Sequence, residues 1–161
     1  MILSVKAHSI ASTLPSLSSL LRPSTLLLTL QNGLPFWWLR GDTRFDKHIL
    51  QSIDPGGLIS ASVNLSHCIG GVIYVAASTS VNLGEVSHAR GRDIIIIGEP
   101  SGEITPRLKE LEALLLKSTF AVKCSTRIRD DYVRSYVHLL FILIASKFAQ
   151  TNVFAVQQVV G

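Results

Sequence analysis

Gln31-Asn32-Gly33 comes directly after an apolar run of strand length. The Asn32 amide donates and accepts hydrogen bonds at once, and Gly33 admits close backbone approach. Ligands of open α/β sheets bind at the carboxyl ends of strands. A binding role therefore competes with a plain Asn-Gly turn, and spacing alone leaves both open. Lys6 stands just past a shorter apolar run. It is either a solvated lysine or a cation set against an anion. Ser87-His88 and the scattered aspartates give no convincing Ser–His–Asp arrangement. His8, His48, His67, His88 and His138 do not pair with one another or with cysteine at ligand spacing, so no metal site is expected. Cys68 and Cys124 make neither a metal spacing nor a disulfide framework, and predict reduced thiols in a cytosolic protein. Trp37-Trp38 could stack on a base or sugar, but an aromatic pair of this kind is more often a core or interface anchor.

The elements that must position these residues follow from periodicity. Residues 2–5 read as a short buried strand. Ile10, Leu14, Leu17 and Leu21 mark one face of a helix. Pro15 conflicts with that pattern unless the helix begins at the proline. Residues 25–30 form the next strand, and strand–helix–strand in so short a span implies a βαβ unit with a parallel sheet. Residues 34–57 read as irregular, with a short helix around 45–52. Residues 69–77 are a strand. Residues 85–88 and 93–97 are two more, joined through Ala89-Arg90-Gly91-Arg92 as a hairpin. Thr105 and Pro106 open a helix as cap and first residue, with Leu108, Leu111 and Leu115 as its core stripe. Residues 120–124 are a last strand, and the chain from Arg127 onward reads as helical.

Composition narrows the class. The chain has 161 residues, 47% hydrophobic and 16% charged, with a formal net charge of +4. That excludes a disordered chain. The charged fraction is below the usual ~25% of globular domains, so apolar surface awaiting a covering partner is expected. The basic residues are scattered and form no nucleic-acid arm. Residues 1–6 are too short an apolar stretch for a signal peptide. Residues 137–146 fall short of the ~20 needed to span a bilayer, so neither membrane nor nucleic acid is an expected partner.

The order of motifs resembles the ketopantoate reductase family, the 2-dehydropantoate 2-reductases. It runs Val5-Lys6-Ala7, Leu30-Gln31-Asn32-Gly33-Leu34, Gly70-Gly71-Val72-Ile73-Tyr74, Gly84-Glu85-Val86-Ser87-His88, Ile97-Gly98-Glu99-Pro100 and Ile128-Arg129-Asp130-Asp131. Pro35-Phe36-Trp37-Trp38 is similar to the branch with aromatic residues after the asparagine motif. The resemblance covers about residues 2–131. It implies an NADP-dependent oxidoreductase that reduces a small 2-oxo acid, ketopantoate, to pantoate in pantothenate biosynthesis. By the resemblance, Lys6, Asn32, Gly33 and Ala76 lie along the cofactor, and Asn32 also meets the substrate.

Departures from the family pattern shape the expectation. The family's glycine-rich phosphate loop precedes the position of Lys6, yet Met1 stands only five residues before it. The family's catalytic lysine falls on Ser135, the asparagine four residues later on Leu139, and the next Asn-Pro signature on Ile142-Leu143. A serine hydroxyl is a poor proton donor to an alkoxide compared with an ammonium. The expected fold is therefore α/β: residues 1–125 as a partial NADP-binding, Rossmann-like parallel sheet, and residues 126–161 as the divergent start of a helical domain. The expected chain is truncated at both ends, impaired in turnover, and cytoplasmic, with a homodimer as its protein partner. The tail after Asp131 departs so abruptly that a frameshift or misjoined gene is one expectation for it. The rival reading is an inactive remnant with at most a protein-interaction role.

Overall fold

Strand β1 (Ile2–Leu3) is followed by a 3₁₀ turn at Ala7–Ser9, helix α1 (Ile10–Ser18) and strand β2 (Leu27–Leu30). This computed structural model describes the backbone of residues 1–159 except 32, 42–44, 46–47, 81 and 89–92. Side chains are described for the same residues except 79, 142–143, 145–146 and 148–159. A 3₁₀ turn at Pro55–Gly57, helix α2 (Leu58–Ser62) and a second 3₁₀ turn at Leu65–His67 lead into strand β3 (Cys68–Tyr74). Strands β4 (Ala77–Thr79), β5 (Val86–His88) and β6 (Ile94–Gly98) precede helix α3 (Pro106–Leu115), strand β7 (Ala121–Cys124) and the long helix α4 (Ile128–Val159).

The main sheet has the order β1-β2-β3-β6-β7. β1 with β2, β2 with β3, and β6 with β7 are parallel, whereas β3 and β6 are antiparallel. The expected α/β, Rossmann-like sheet is thus present but mixed. Each parallel step is bridged by a helix-bearing connection, and the one antiparallel step is the return of a hairpin. That hairpin is not where the sequence placed it. β5 pairs with β4, from Ala77↔His88 to Thr79↔Val86, and β6 pairs with β3, from Gly70↔Gly98 to Tyr74↔Ile94. The strands on either side of residues 89–92 therefore do not pair with each other, and those four residues lie outside the described set. One long hairpin leaves the sheet instead, turning near residues 80–85, where Glu85 N–H donates to the Asn82 carbonyl and Gly84 has φ +87°.

Two other expectations are corrected. The described residues between 45 and 53 form turns, not a helix; the short helix comes later, at α2. There the Asp54 carboxylate accepts from the backbone N–H groups of Ile59 (2.8 Å) and Ser60 (3.0 Å) and caps it. Helix α1 starts before Pro15 rather than at it. An interior proline costs about 3 kcal/mol. Ile10 and Leu17, both buried, return about 1.5–3 kcal/mol each.

Side chains alternate between the two faces of the sheet, as strand geometry requires. Leu27, Cys68 and Val72 join Leu3, Ile10, Leu17, Trp37, Ile59, Ile128 and Tyr132 on the face covered by α1, α2 and the start of α4. Leu28, Ile69, Ile95 and Ile97 join Leu108 on the face covered by α3, with Leu111 and Leu115 packed at its edge. β1 is less buried than expected: Leu3 is in the core, but Ile2 is 54% exposed. The Thr105 cap of α3 is as read from sequence, its hydroxyl accepting from the Leu108 N–H at 3.3 Å. No helix among the described residues is long and apolar enough to cross a membrane.

Candidate active site

The parallel strands β1, β2 and β3 end on one side of the sheet, and Gln31 ties those ends together. Its side-chain Nε2 donates to the Val5 carbonyl at 2.8 Å, and its backbone N–H donates to the Gly71 carbonyl at 3.3 Å. The side chain is buried, and its Oε1 has no partner among the described residues. This tie fixes the chain on either side of it. Lys6 follows Val5, is exposed, and opens the 3₁₀ turn into α1, with the Ser9 N–H donating to its carbonyl at 2.8 Å. Gly33 sits so near Ala7 that a Cβ on it would lie 3.4 Å from the Ala7 Cβ. The structure therefore brings the Lys6–Ala7 corner and Gly33 together. Asn32, between Gln31 and Gly33, lies outside the described residues. Ala76 stands beyond β3 and is exposed; with Ala77, Ser78, Ser87 and His88 it lines a shallow hollow of about 460 Å³.

Helix α4 approaches the same end. Ile128 packs where Gly70 and Gly98 leave room: a Cβ on either glycine would fall 2.8 Å from an Ile128 carbon. Four residues on, the buried Tyr132 hydroxyl enters the β2–β3 ladder. It accepts from the Gly71 N–H at 3.1 Å and donates to the Thr29 carbonyl at 3.2 Å. His138 then meets the Tyr74 ring edge-on, centroids 6.3 Å apart. The helix thus runs alongside β3 in the same direction. Ser135 is three residues beyond Tyr132 on its buried face, at 2% exposure, while Arg134 points to solvent. Burial raises the Tyr132 phenol to about 12, against the lesser opposing effect of its two hydrogen bonds.

Several residues to which the sequence reading gave no site role hold the site's frame. Arg129 donates through Nε to the Trp38 carbonyl (3.0 Å) and through its two terminal nitrogens to the carbonyls of Arg40 (2.7 Å) and Pro100. Its guanidinium lies 5.6 Å from the centre of the Trp37 ring. Trp37 is fully buried, which makes it the core anchor that sequence favoured. Glu99 is buried as well; it accepts from the Thr105 hydroxyl (2.5 Å) and pairs with the Arg107 guanidinium. The Gly98-Glu99-Pro100 motif is thus a structural ion pair next to a helix start. Cys68 is free and buried, and burial pushes its thiol up to about 12. No cluster of three or more metal-capable side chains occurs among the described residues.

Residues 1–102 match the family described as ketopantoate reductase PanE/ApbA. The chain belongs to this family. A 2-dehydropantoate 2-reductase of Mesorhizobium japonicum is 31% identical over 142 residues, which cover 87% of this chain and 43% of that protein. A crystal structure from Ralstonia solanacearum MolK2, assigned as a ketopantoate reductase, superposes with a TM-score of 0.75 at 31% identity. It covers 81% of this chain and 40% of its own. A D-mandelate dehydrogenase in complex with NADH shares the fold at 20% identity, with a TM-score of 0.62, over 83% of this chain and 38% of that one. This ketopantoate reductase family member thus spans less than half the length of these relatives. The family match ends at residue 102, short of the motifs that extend to residue 131.

Proposed function

We propose that this chain forms the nicotinamide and substrate rim of a ketopantoate-reductase-like, NADP-dependent oxidoreductase. The reaction class is reduction of 2-dehydropantoate to pantoate, in an impaired form. The carrying observation is the Gln31 tie, which sets the Lys6–Ala7 corner against Gly33 at the carboxyl ends of adjacent parallel strands. Residues 1–125 serve as part of a dinucleotide-binding domain, and residues 126–161 as the start of a helical one. Cytoplasmic residence and a homodimer belong to the same reading. So does Ala76 as a flank of the cofactor.

The fit to the cofactor is one-ended. An exposed lysine, a glycine and converging strand ends suit the nicotinamide end. The diphosphate has no cradle in the β1–α1 turn: Lys6-Ala7-His8-Ser9 contains no glycine and no positive φ. When bound, the reduced nicotinamide supplies the hydride. Lys6 holds a phosphate or carboxylate charge at the rim, and Asn32 orients the oxo acid. Ser135 stands on the buried face of α4, where the family resemblance places a lysine. Its hydroxyl cannot deliver a proton as an ammonium does, and a lost general acid costs about 10²–10⁴-fold in rate.

NADPH oxidation in the presence of 2-dehydropantoate tests this. We expect turnover well below the roughly 1–1000 per second of ordinary enzymes; a rate inside that range overturns the impairment. NADPH fluorescence titration tests the rim separately. Lys6→Met and Asn32→Ala should each weaken binding about tenfold, equivalent to ~1.4 kcal/mol, and unchanged affinity removes the assignment.

A further inference from the structure

A second hollow, of about 400 Å³, opens at the opposite end of the strands. It lies beside the amino ends of β2 and β3, between α1 and α2, and is lined by Arg40, His67, Asn64, Ser18, Ser60 and Ser62, among others. Pockets of this size hold small molecules, and most are apolar; this one is polar. Its walls differ in character. One wall offers donors. Arg40 donates one N–H to the Ser60 carbonyl (3.2 Å), and no carboxylate pairs with its guanidinium among the described residues. Beside it, His67 donates through Nδ1 to the Thr25 carbonyl at 2.8 Å, which leaves Nε2 as an acceptor for a ligand hydroxyl. Asn64 uses Oδ1 to accept from the Ser66 N–H at 3.0 Å, so its Nδ2 remains to donate.

The other wall offers acceptors. Ser18 donates its hydroxyl proton to the Pro15 carbonyl (3.2 Å), and Ser62 donates to Leu58 (2.8 Å). Each hydroxyl oxygen is left with lone pairs for an incoming O–H. These serines sit at the carboxyl-terminal ends of α1 and α2, where helix carbonyls also favour donors. An inorganic anion would satisfy only the first wall, and a neutral sugar only the second.

From these two walls we infer that the hollow binds a small phosphorylated polyol, with the phosphate on Arg40 and Asn64 and the hydroxyls on the serines and His67 Nε2. Arg40 meets phosphate with a planar array of donors. The site is independent of the nicotinamide-rim reading, because none of its residues lies at the carboxyl ends of the strands.

Titration of the isotope-labelled full chain with ribose 5-phosphate, followed by amide shifts, tests the inference. We expect saturable shifts at residues 60–67 and at least tenfold weaker binding of either ribose or inorganic phosphate alone. Asn64→Asp keeps the oxygen that accepts from Ser66 and replaces only the donor, so it leaves the fold intact; it should weaken ribose 5-phosphate at least tenfold. Arg40→Gln should do the same, with unchanged shifts at β6 and α3 as the folding control. Absence of saturable shifts, equal affinity for inorganic phosphate, or full affinity in Asn64→Asp overturns the assignment.

Discussion

Tyr132 shows how much one hydroxyl can organise. It reaches from α4 into the seam between β2 and β3 and serves an N–H and a carbonyl that would otherwise face each other across a gap. The space for Ile128, one turn earlier on the same helix, comes from Gly70 and Gly98. Leaving buried backbone groups unserved costs about 1–3 kcal/mol, so Tyr132→Phe should lower unfolding free energy by about that amount in urea titration. The same variant should change the alkaline limb of stability. The phenol's folded value is about 12 against an ordinary 10.0, so its contribution is complete below pH 10.0 and lost as pH rises toward 12. Cys68, raised from 9.0 to about 12, adds a loss of the same sign. The substituted protein should therefore lose less stability between pH 10 and 12 than the natural one. At this scale the sequence was only partly legible. Lys6 and Gly33 could be singled out because they flank strand ends. The roles of Tyr132 and Arg129 could not be read, because their partners lie 61 to 103 and 29 to 91 residues away in the chain.

Helices with chemical punctuation were readable at the scale of elements, and strand partners were not. Thr105 and Pro106 announce α3 through a hydroxyl acceptor and a preset φ, both local properties. Replacing Thr105 with Ala should cost about 1 kcal/mol in thermal or urea unfolding. Because the same hydroxyl donates to the buried Glu99, it should cost more than a typical exposed cap. Equal stability of Thr105→Ala and the natural chain would show that neither bond matters. The hairpin was misplaced for the opposite reason. Gly91 in a basic tetrapeptide has the composition of a turn, but pairing depends on which apolar faces meet in the core. Ile95 and Ile97 are buried against Ile69 and Leu108, which draws β6 to β3 and leaves β5 to β4. Pro15 misled for a related reason: propensity is local, whereas the burial of Ile10 is not.

For the whole molecule, the α/β class and the parallel run β1-β2-β3 follow from the alternation of apolar strands and helical spans. The reversal at β6 does not, since strand direction leaves no mark in a five-residue apolar run. Low charge forecast uncovered apolar surface. Helix α4 carries it: Tyr136, Val137, Leu140, Phe141 and Ile144 are all substantially exposed, Phe141 at 71%. Contiguous apolar faces of this kind associate, so sedimentation should reveal concentration-dependent self-association that Phe141→Glu reduces. A monomer at all concentrations would contradict this. The Tyr132 wedge also bears on how the protein comes into being. A chain still emerging from the ribosome and ending before residue 128 carries both central strands, yet lacks the group that completes their seam. Full completion of the β2–β3 seam therefore waits for the start of α4 to be synthesised, which couples docking of that helix to completion of the sheet.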